Sequence, residues 1–188
     1  MSNVNESIIC AGFGGQGIMT LGKALAYAGM MKDLHVTWMP SYGAEVRGGT
    51  AHAMVRISSE PVGSPTVGVA DTAIIMNGPS LDKFQDRIKK GGLLILNTSM
   101  ATEEVAREDI DIVKAPLTDE AMKLGNVRVA NMIAAGIYAD RKGIFDKTTL
   151  VKVIETMGAA RKEIIPVNIK AVEKGLEINA QQVHTLKG

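Results

Sequence analysis

The sequence predicts an α/β fold: a three-layer α/β/α sandwich built on a mostly parallel, Rossmann-like sheet, as a single domain over residues 1–188. Three observations carry this. Short runs that are apolar on both faces (Ile8-Ile9-Cys10-Ala11, Ala73-Ile74-Ile75-Met76, Leu93 to Leu96) alternate with runs of helical period, the pattern of strands covered on both sides. The first run enters a glycine turn, Gly12-Phe13-Gly14-Gly15-Gln16-Gly17, which reads as G-x-G-x-x-G between a strand and a helix. The composition, 46% hydrophobic and 22% charged over 188 residues, is that of one globular domain with room for a core.

In order along the chain, Ser7 to Ala11 is predicted as a buried strand and Gln16 to about Lys32 as a helix. Ile18, Leu21, Leu25 and Ala28 follow helical spacing there. Gly22 and Gly29 interrupt it, each costing ~1 kcal/mol relative to alanine unless a neighbouring backbone needs the space. His35 to Met39 is a second strand, ended by Pro40. After a glycine-rich loop from Ser41 to Thr50, Ala51, Ala53, Val55 and Ile57 alternate with His52, Met54 and Arg56, a strand with two unlike faces.

Glu60-Pro61 and Gly63-Ser64-Pro65 make turns. Ala73 to Met76 is a strand, and Asn77-Gly78-Pro79 starts a helix that Lys89-Lys90-Gly91-Gly92 is expected to close. Leu93 to Leu96 is a buried strand and Asp111 to Lys114 an edge strand before Pro116. Helices are predicted from Asp119 to Leu124, from Val129 to about Asp140, and around Leu150, Val153, Ile154 and Met157 with Asp146 or Thr148 as cap. Pro166 opens a last helix carrying Ile169, Val172, Leu176, Ala180 and Val183 on one face.

In such a fold ligands sit beyond the C-terminal strand ends. Those ends are the Gly12–Gly17 turn, the Pro40–Gly49 loop, Asn77-Gly78 and Asn97-Thr98-Ser99. The glycine turn aims backbone N–H groups and the positive end of a helix dipole at one point, which suits an anion. A nicotinamide dinucleotide also needs an acid near the end of the second strand, and Thr37-Trp38-Met39-Pro40-Ser41 has none. Ordinary NAD binding is therefore disfavoured. In the loop after that strand, Ser41, Tyr42, Glu45 and Arg47 stand among glycines, with Arg47 suited to phosphate or carboxylate. Asn131, at a helix start, is either a packing group or a polar group aimed at the same rim.

Other chemistries are excluded or left without candidates. A net charge of +1 and 4% aromatics give no footprint for nucleic acid. No run approaches the ~20 apolar residues of a membrane span, and the N-terminus has no signal-peptide pattern, so a cytoplasmic location is expected. The single cysteine, Cys10, rules out an internal disulfide and a thiolate cluster site. His35, His52 and His184 are scattered, no metal site is read, and no catalytic base or nucleophile is found.

Together, Gly12 to Gly17 and Pro40-Ser41-Tyr42-Gly43-Ala44-Glu45-Val46-Arg47-Gly48-Gly49-Thr50 resemble the gamma subunit of 2-oxoacid:ferredoxin oxidoreductases. The turn from Glu60 to Pro65 and Asn131 with Ala135-Gly136 add to the likeness, which spans roughly residues 6 to 180. The form from Ser41 to Gly49 is nearer the 2-oxoglutarate or 2-oxoisovalerate branch than the pyruvate branch. The resemblance implies a non-catalytic subunit of a complex that oxidatively decarboxylates a 2-oxoacid to an acyl-CoA and reduces ferredoxin. Thiamine diphosphate and iron–sulfur clusters would belong to the alpha, beta and delta partners. This chain would help bind coenzyme A, with Gly12, Gly14, Gly15, Gln16, Gly17, Ser41, Tyr42, Glu45, Arg47 and Asn131 as its contact residues. Whether the turn receives coenzyme A phosphates or a partner's carboxylates stays open at this stage. A free-standing dinucleotide oxidoreductase and a purely structural assembly subunit are the rival readings. Alone, the chain is expected to expose a wide apolar face able to form a homodimer.

Overall fold

A computed structural model describes residues 3–41 and 50–185. Its strands are β1 (Asn5–Phe13), β2 (His35–Ser41), β3 (Thr50–Ser58), β4 (Ala70–Ile75), β5 (Ile88–Asn97) and β6 (Asp111–Ala115). They form one sheet in the order β2-β3-β1-β4-β5-β6. β1, β4, β5 and β6 pair in parallel, while β3 runs antiparallel to both β1 and β2. Five of the six described strands thus point the same way, with β3 inserted between β2 and β1.

Residue alternation along each strand sends two sets of side chains to opposite faces. Ile8, Cys10, Val55, Ile57, Ile74, Ile95 and Val113 join one core with α1 (Ile18–Met30), α4 (Ala130–Lys142) and α5 (Lys147–Met157). Ile9, Ala11, Ala73, Ile75, Leu94 and Leu96 join the other with Leu81 and Phe84 of α2 (Gly78–Phe84). Because α1 and α2 cover opposite faces, the chain reverses its winding between β1 and β4. Ligand crevices form at such a switch point.

The helical face is completed by α3 (Leu117–Lys123) and α6 (Ile165–Thr185). α4 is apolar nearly all round, buried from Ala130 to Ala139, because it lies between the sheet and α6. Gly136 and Gly175 meet where α4 crosses α6: a Cβ on Gly136 would stand 3.2 Å from the Gly175 Cα and press on the Val172 carbonyl. That crossing turns Val172, Gly175 and Asn179 inward and leaves Ala180 exposed. Ile169, Val172 and Leu176 of the aliphatic stripe expected from sequence pack on the core, while Ala180 faces out and the small Gly175 and the polar Asn179 join the inner face. The side chain of Val183, part of that stripe, lies outside the described residues.

Two boundaries also differ. Pro40 does not end β2 but lies within it and exposed, which an edge strand allows because one row of its N–H groups faces away from the ladder. Lys89 to Gly92 do not close a helix. α2 ends at Phe84, a 3-10 turn follows over Gln85–Arg87, and Ile88 already starts β5. Ile88 is buried at 2% exposure, and Lys89 pairs with Asp71, so tertiary contacts outweigh the local helix-end signal. Asp146 is the cap of α5, its carboxylate accepting from the N–H and the hydroxyl of Thr149, each at 2.8 Å.

Candidate functional site

β1 delivers the chain to the rim at Phe13, and three residues set the shape of the turn. Gly15 and Gly17 have φ of 93° and 73°, left-handed values that glycine adopts without a Cβ penalty. Gln16 folds its side chain inward: its Oε1 accepts from the Phe13 N–H at 2.6 Å and its Nε2 donates to the Met76 carbonyl at 3.0 Å. The Gln16 N–H is itself bonded to the Phe13 carbonyl. Gln16 therefore braces the turn and does not reach outward. Gly12 sits behind it, where a Cβ would meet Gln16 Oε1 at 2.5 Å and Met76 Cβ at 2.9 Å.

The rim is stitched together by amides. The Met76 carbonyl also accepts from Asn97 Nδ2 at 3.2 Å, and Asn97 exchanges bonds with Thr118 at the start of α3. Asn131, near the start of α4, donates from Nδ2 to the Gly17 carbonyl at 3.0 Å. The lack of a Cβ at Gly17 makes room for that amide. Asn131 is only 4% exposed, yet among the described residues its Oδ1 has no partner. A buried acceptor left unpaired is costly, so a donor supplied from outside fits there.

Gly17 caps α1 with no side-chain bond, and no acid stands in the first turn of that helix. The first N–H groups of α1 thus lack a side-chain acceptor, and the helix dipole adds a positive potential of roughly half a charge. In front of them lies a hollow of about 530 Å³ bordered by Gly14, Gly15, Gly17, Asn131, Arg128 and Arg161 among others. Among the described residues, nothing stands within 4 Å of a Cβ built on Gly14 or Gly15. Arg128 and Arg161 are exposed, and among the described residues neither guanidinium has an ion pair or a hydrogen-bond partner. The combination of free helical N–H groups, two unpaired guanidiniums and one buried acceptor suits a phosphate-bearing ligand.

Of the residues expected from sequence, Gly14, Gly15, Gly17 and Asn131 are brought together at the hollow. Gly12 and Gln16 lie behind it. Ser41 ends β2 opposite His52 and does not border the hollow. Tyr42, Glu45 and Arg47 lie outside the described residues. The arginines were missed: each sits in an unremarkable short segment, and only the fold carries them to Gly17. His52 is half-buried and its ring lies 5.1 Å from that of Phe84, a packing role. Burial lowers its proton affinity, with Lys83 and Arg87 adding to the effect. Cys10 is fully buried, and burial pushes its thiol up, far from thiolate chemistry.

Comparison with known proteins identifies the family. The profile of the Pyruvate ferredoxin/flavodoxin oxidoreductase family matches residues 7–178. The ketoisovalerate oxidoreductase subunit VorA of Methanothermobacter thermautotrophicus is 35% identical over 169 residues, which cover 89% of this chain and 35% of that relative. The chain therefore spans about a third of the length of that curated relative. The gamma subunit of a keto/oxoacid ferredoxin oxidoreductase from Geobacter sulfurreducens superposes with a TM-score of 0.80 at 25% identity, covering 94% of this chain and 99% of that one. The 2-oxoglutarate:ferredoxin oxidoreductase of Magnetococcus marinus, solved with 2-oxoglutarate, coenzyme A and succinyl-CoA bound, superposes with a TM-score of 0.84 at 26% identity, over 94% of this chain and 31% of that one. This chain belongs to the gamma-subunit family of 2-oxoacid:ferredoxin oxidoreductases.

Proposed function

We propose that this chain, as a gamma-type member of the 2-oxoacid:ferredoxin oxidoreductases, is a non-catalytic subunit that holds coenzyme A by its phosphates at the Gly12–Gly17 turn. The reaction of the whole complex would convert a 2-oxoacid, coenzyme A and two oxidised ferredoxins into an acyl-CoA, carbon dioxide, a proton and two reduced ferredoxins. The substrate is a 2-oxoglutarate or a branched-chain 2-oxoacid, in keeping with the names of the Magnetococcus and Methanothermobacter relatives. The alpha, beta and delta partners would supply thiamine diphosphate for the decarboxylation chemistry and iron–sulfur clusters for electron transfer. This chain's donor set does not fit such a cluster. Its one cysteine is buried, and among the described residues no three His, Cys, Asp or Glu side chains converge.

The observation that carries the reading is the uncapped start of α1 facing Arg128 and Arg161 across an open hollow, at the reversal between β1 and β4. Free N–H groups bind the phosphate oxygens and the guanidiniums neutralise their charge. The unpaired Asn131 Oδ1 adds an acceptor for a hydroxyl or amide of the ligand. A carboxylate of a partner subunit would satisfy the charge but has no donor for Asn131. In this role the chain positions coenzyme A and transfers no proton itself.

Gly14 offers the test. Its φ is not in the left-handed region and its Cβ direction is open, so Gly14→Asp places a negative charge at the turn without backbone strain. In the assembled complex, Gly14→Asp is expected to raise KM for coenzyme A about tenfold or more with little change in KM for the 2-oxoacid, while Gly14→Ala stays within about twofold. Equal KM values for Gly14→Asp and Gly14→Ala would sink the phosphate assignment.

A further inference from the structure

The hollow at the glycine turn does not end there. A second hollow of about 270 Å³ lies between α1 and the junction of α5 and α6, and the two share Met19, Thr20, Arg161, Ile164 and Asn168. They form one groove whose character changes along its length. The turn end is bordered by backbone N–H groups and Arg128. The far end is bordered by Ala24, Trp38, Ile154 and Met157.

Trp38 is the only tryptophan of the chain, on β2, and it is 37% exposed. Its ring is held on one side by α1: a Cβ on Gly22 would stand 3.0 Å from Trp38 Nε1, so the glycine lets the indole lie against the helix backbone. From Gly17 to Gly22 is five residues, about 7.5 Å along the helix axis. That separation suits a sugar bridging a phosphate at the turn and a flat ring at Trp38. The far chamber is apolar on its walls but carries Thr20, Lys23 and Asn168 at its edge, as a heteroaromatic ring with polar edges requires.

Building on the phosphate site, we propose that the groove binds the nucleotide half of its ligand, with the nucleobase resting on Trp38. The Asn131 Oδ1, buried and without a partner beside Gly17, accepts a hydroxyl of the intervening ribose. It takes the place of the acid that dinucleotide-binding folds keep at the end of the second strand. Met19 and Met157 also line this chamber, where thioethers make good contacts with a flat ring.

The test uses the purified chain, whose Trp38 emission reports on this groove alone. Coenzyme A, ADP and phosphopantetheine are titrated in turn, followed by fluorescence and by calorimetry. Coenzyme A and ADP are expected to quench Trp38 and to bind within about tenfold of each other, with no quenching by phosphopantetheine. Trp38→Leu is expected to weaken coenzyme A and ADP alike by about tenfold, the loss of one base-stacking platform, and Trp38→Phe to recover most of it. Coenzyme A binding by calorimetry with Trp38 emission unmoved, and with unchanged affinity in Trp38→Leu, overturns the base assignment and leaves the phosphate site standing. Quenching by phosphopantetheine in place of ADP overturns it too. Failure of all three compounds to bind overturns both readings.

Discussion

Replacing Gly136 with alanine probes the crossing that holds α4 in place, and through α4 the amide of Asn131 at the turn. In the helix itself the change is favourable, since alanine is better than glycine by about 1 kcal/mol. Across the crossing it is not. The new Cβ would press on the Val172 carbonyl oxygen and stand 3.1 Å from its carbon, with the Gly175 Cα at 3.2 Å. All of these are backbone atoms of α6, so no rotamer change relieves the contact, and the helices must part by roughly 1 Å. Overpacking in a dense core costs about 1–3 kcal/mol, and a backbone-to-backbone contact belongs at the upper end. Subtracting the propensity gain leaves a net loss of about 2 kcal/mol. For a domain of this size that lowers Tm by about 4–8 °C. Thermal and urea unfolding of Gly136→Ala measure it, with Gly68→Ala as the control, since nothing stands within 4 Å of a Cβ there. A Gly136→Ala protein as stable as the wild type or more so would refute the close-crossing argument, because propensity would then have won.

Two further outcomes follow from buried and capping charges. Glu6 is 5% exposed, its carboxylate accepting from Thr72 Oγ1 at 2.6 Å and pairing with Lys142 at 2.9 Å; burial holds its proton affinity above the usual carboxylate range despite those partners. Lys142→Met removes the cation and raises that affinity further, so the variant loses stability as pH rises through the new value. The loss is expected to be about 2 kcal/mol at pH 8, less than for a fully buried pair because Lys142 is 25% exposed, and smaller at pH 5; a loss independent of pH in urea unfolding would contradict it. Asp146 is held below its ordinary range mainly by the Thr149 N–H. Its stabilisation is therefore complete above the unfolded carboxylate value and disappears as pH falls through the lower folded one. Asp146→Ala should lower Tm at pH 7, with the gap to wild type closing below about pH 4.

Much of the fold was legible because burial on both faces writes continuous apolar runs into β1, β4 and β5, and the Asp146 cap follows from local hydrogen-bond chemistry. The errors fall where local signals met tertiary demands. Lys89-Lys90-Gly91-Gly92 has the composition of a helix end, yet buried Ile88 and the Asp71 partner draw that segment into β5. The stripe of α6 was right at Ile169, Val172 and Leu176 but did not include Gly175, because close helix packing rewards the smallest residues and hydrophobic periodicity rewards the largest.

The glycine turn could be read from the chain because its chemistry is local: left-handed backbone at Gly15 and Gly17 and a helix starting at once after them require glycine whatever surrounds them. What faces that turn could be read only in part. Asn131 was expected at the rim, but Arg128 and Arg161 reach it from distant segments with no shared spacing, since long-range folding places them by packing α4 and the α5–α6 junction against the sheet. Sequence periodicity records which side of an element is buried, but it carries no record of which other element buries it. The shape of the turn is thus a property of six neighbouring residues, while the groove in front of it is a property of the assembled layers.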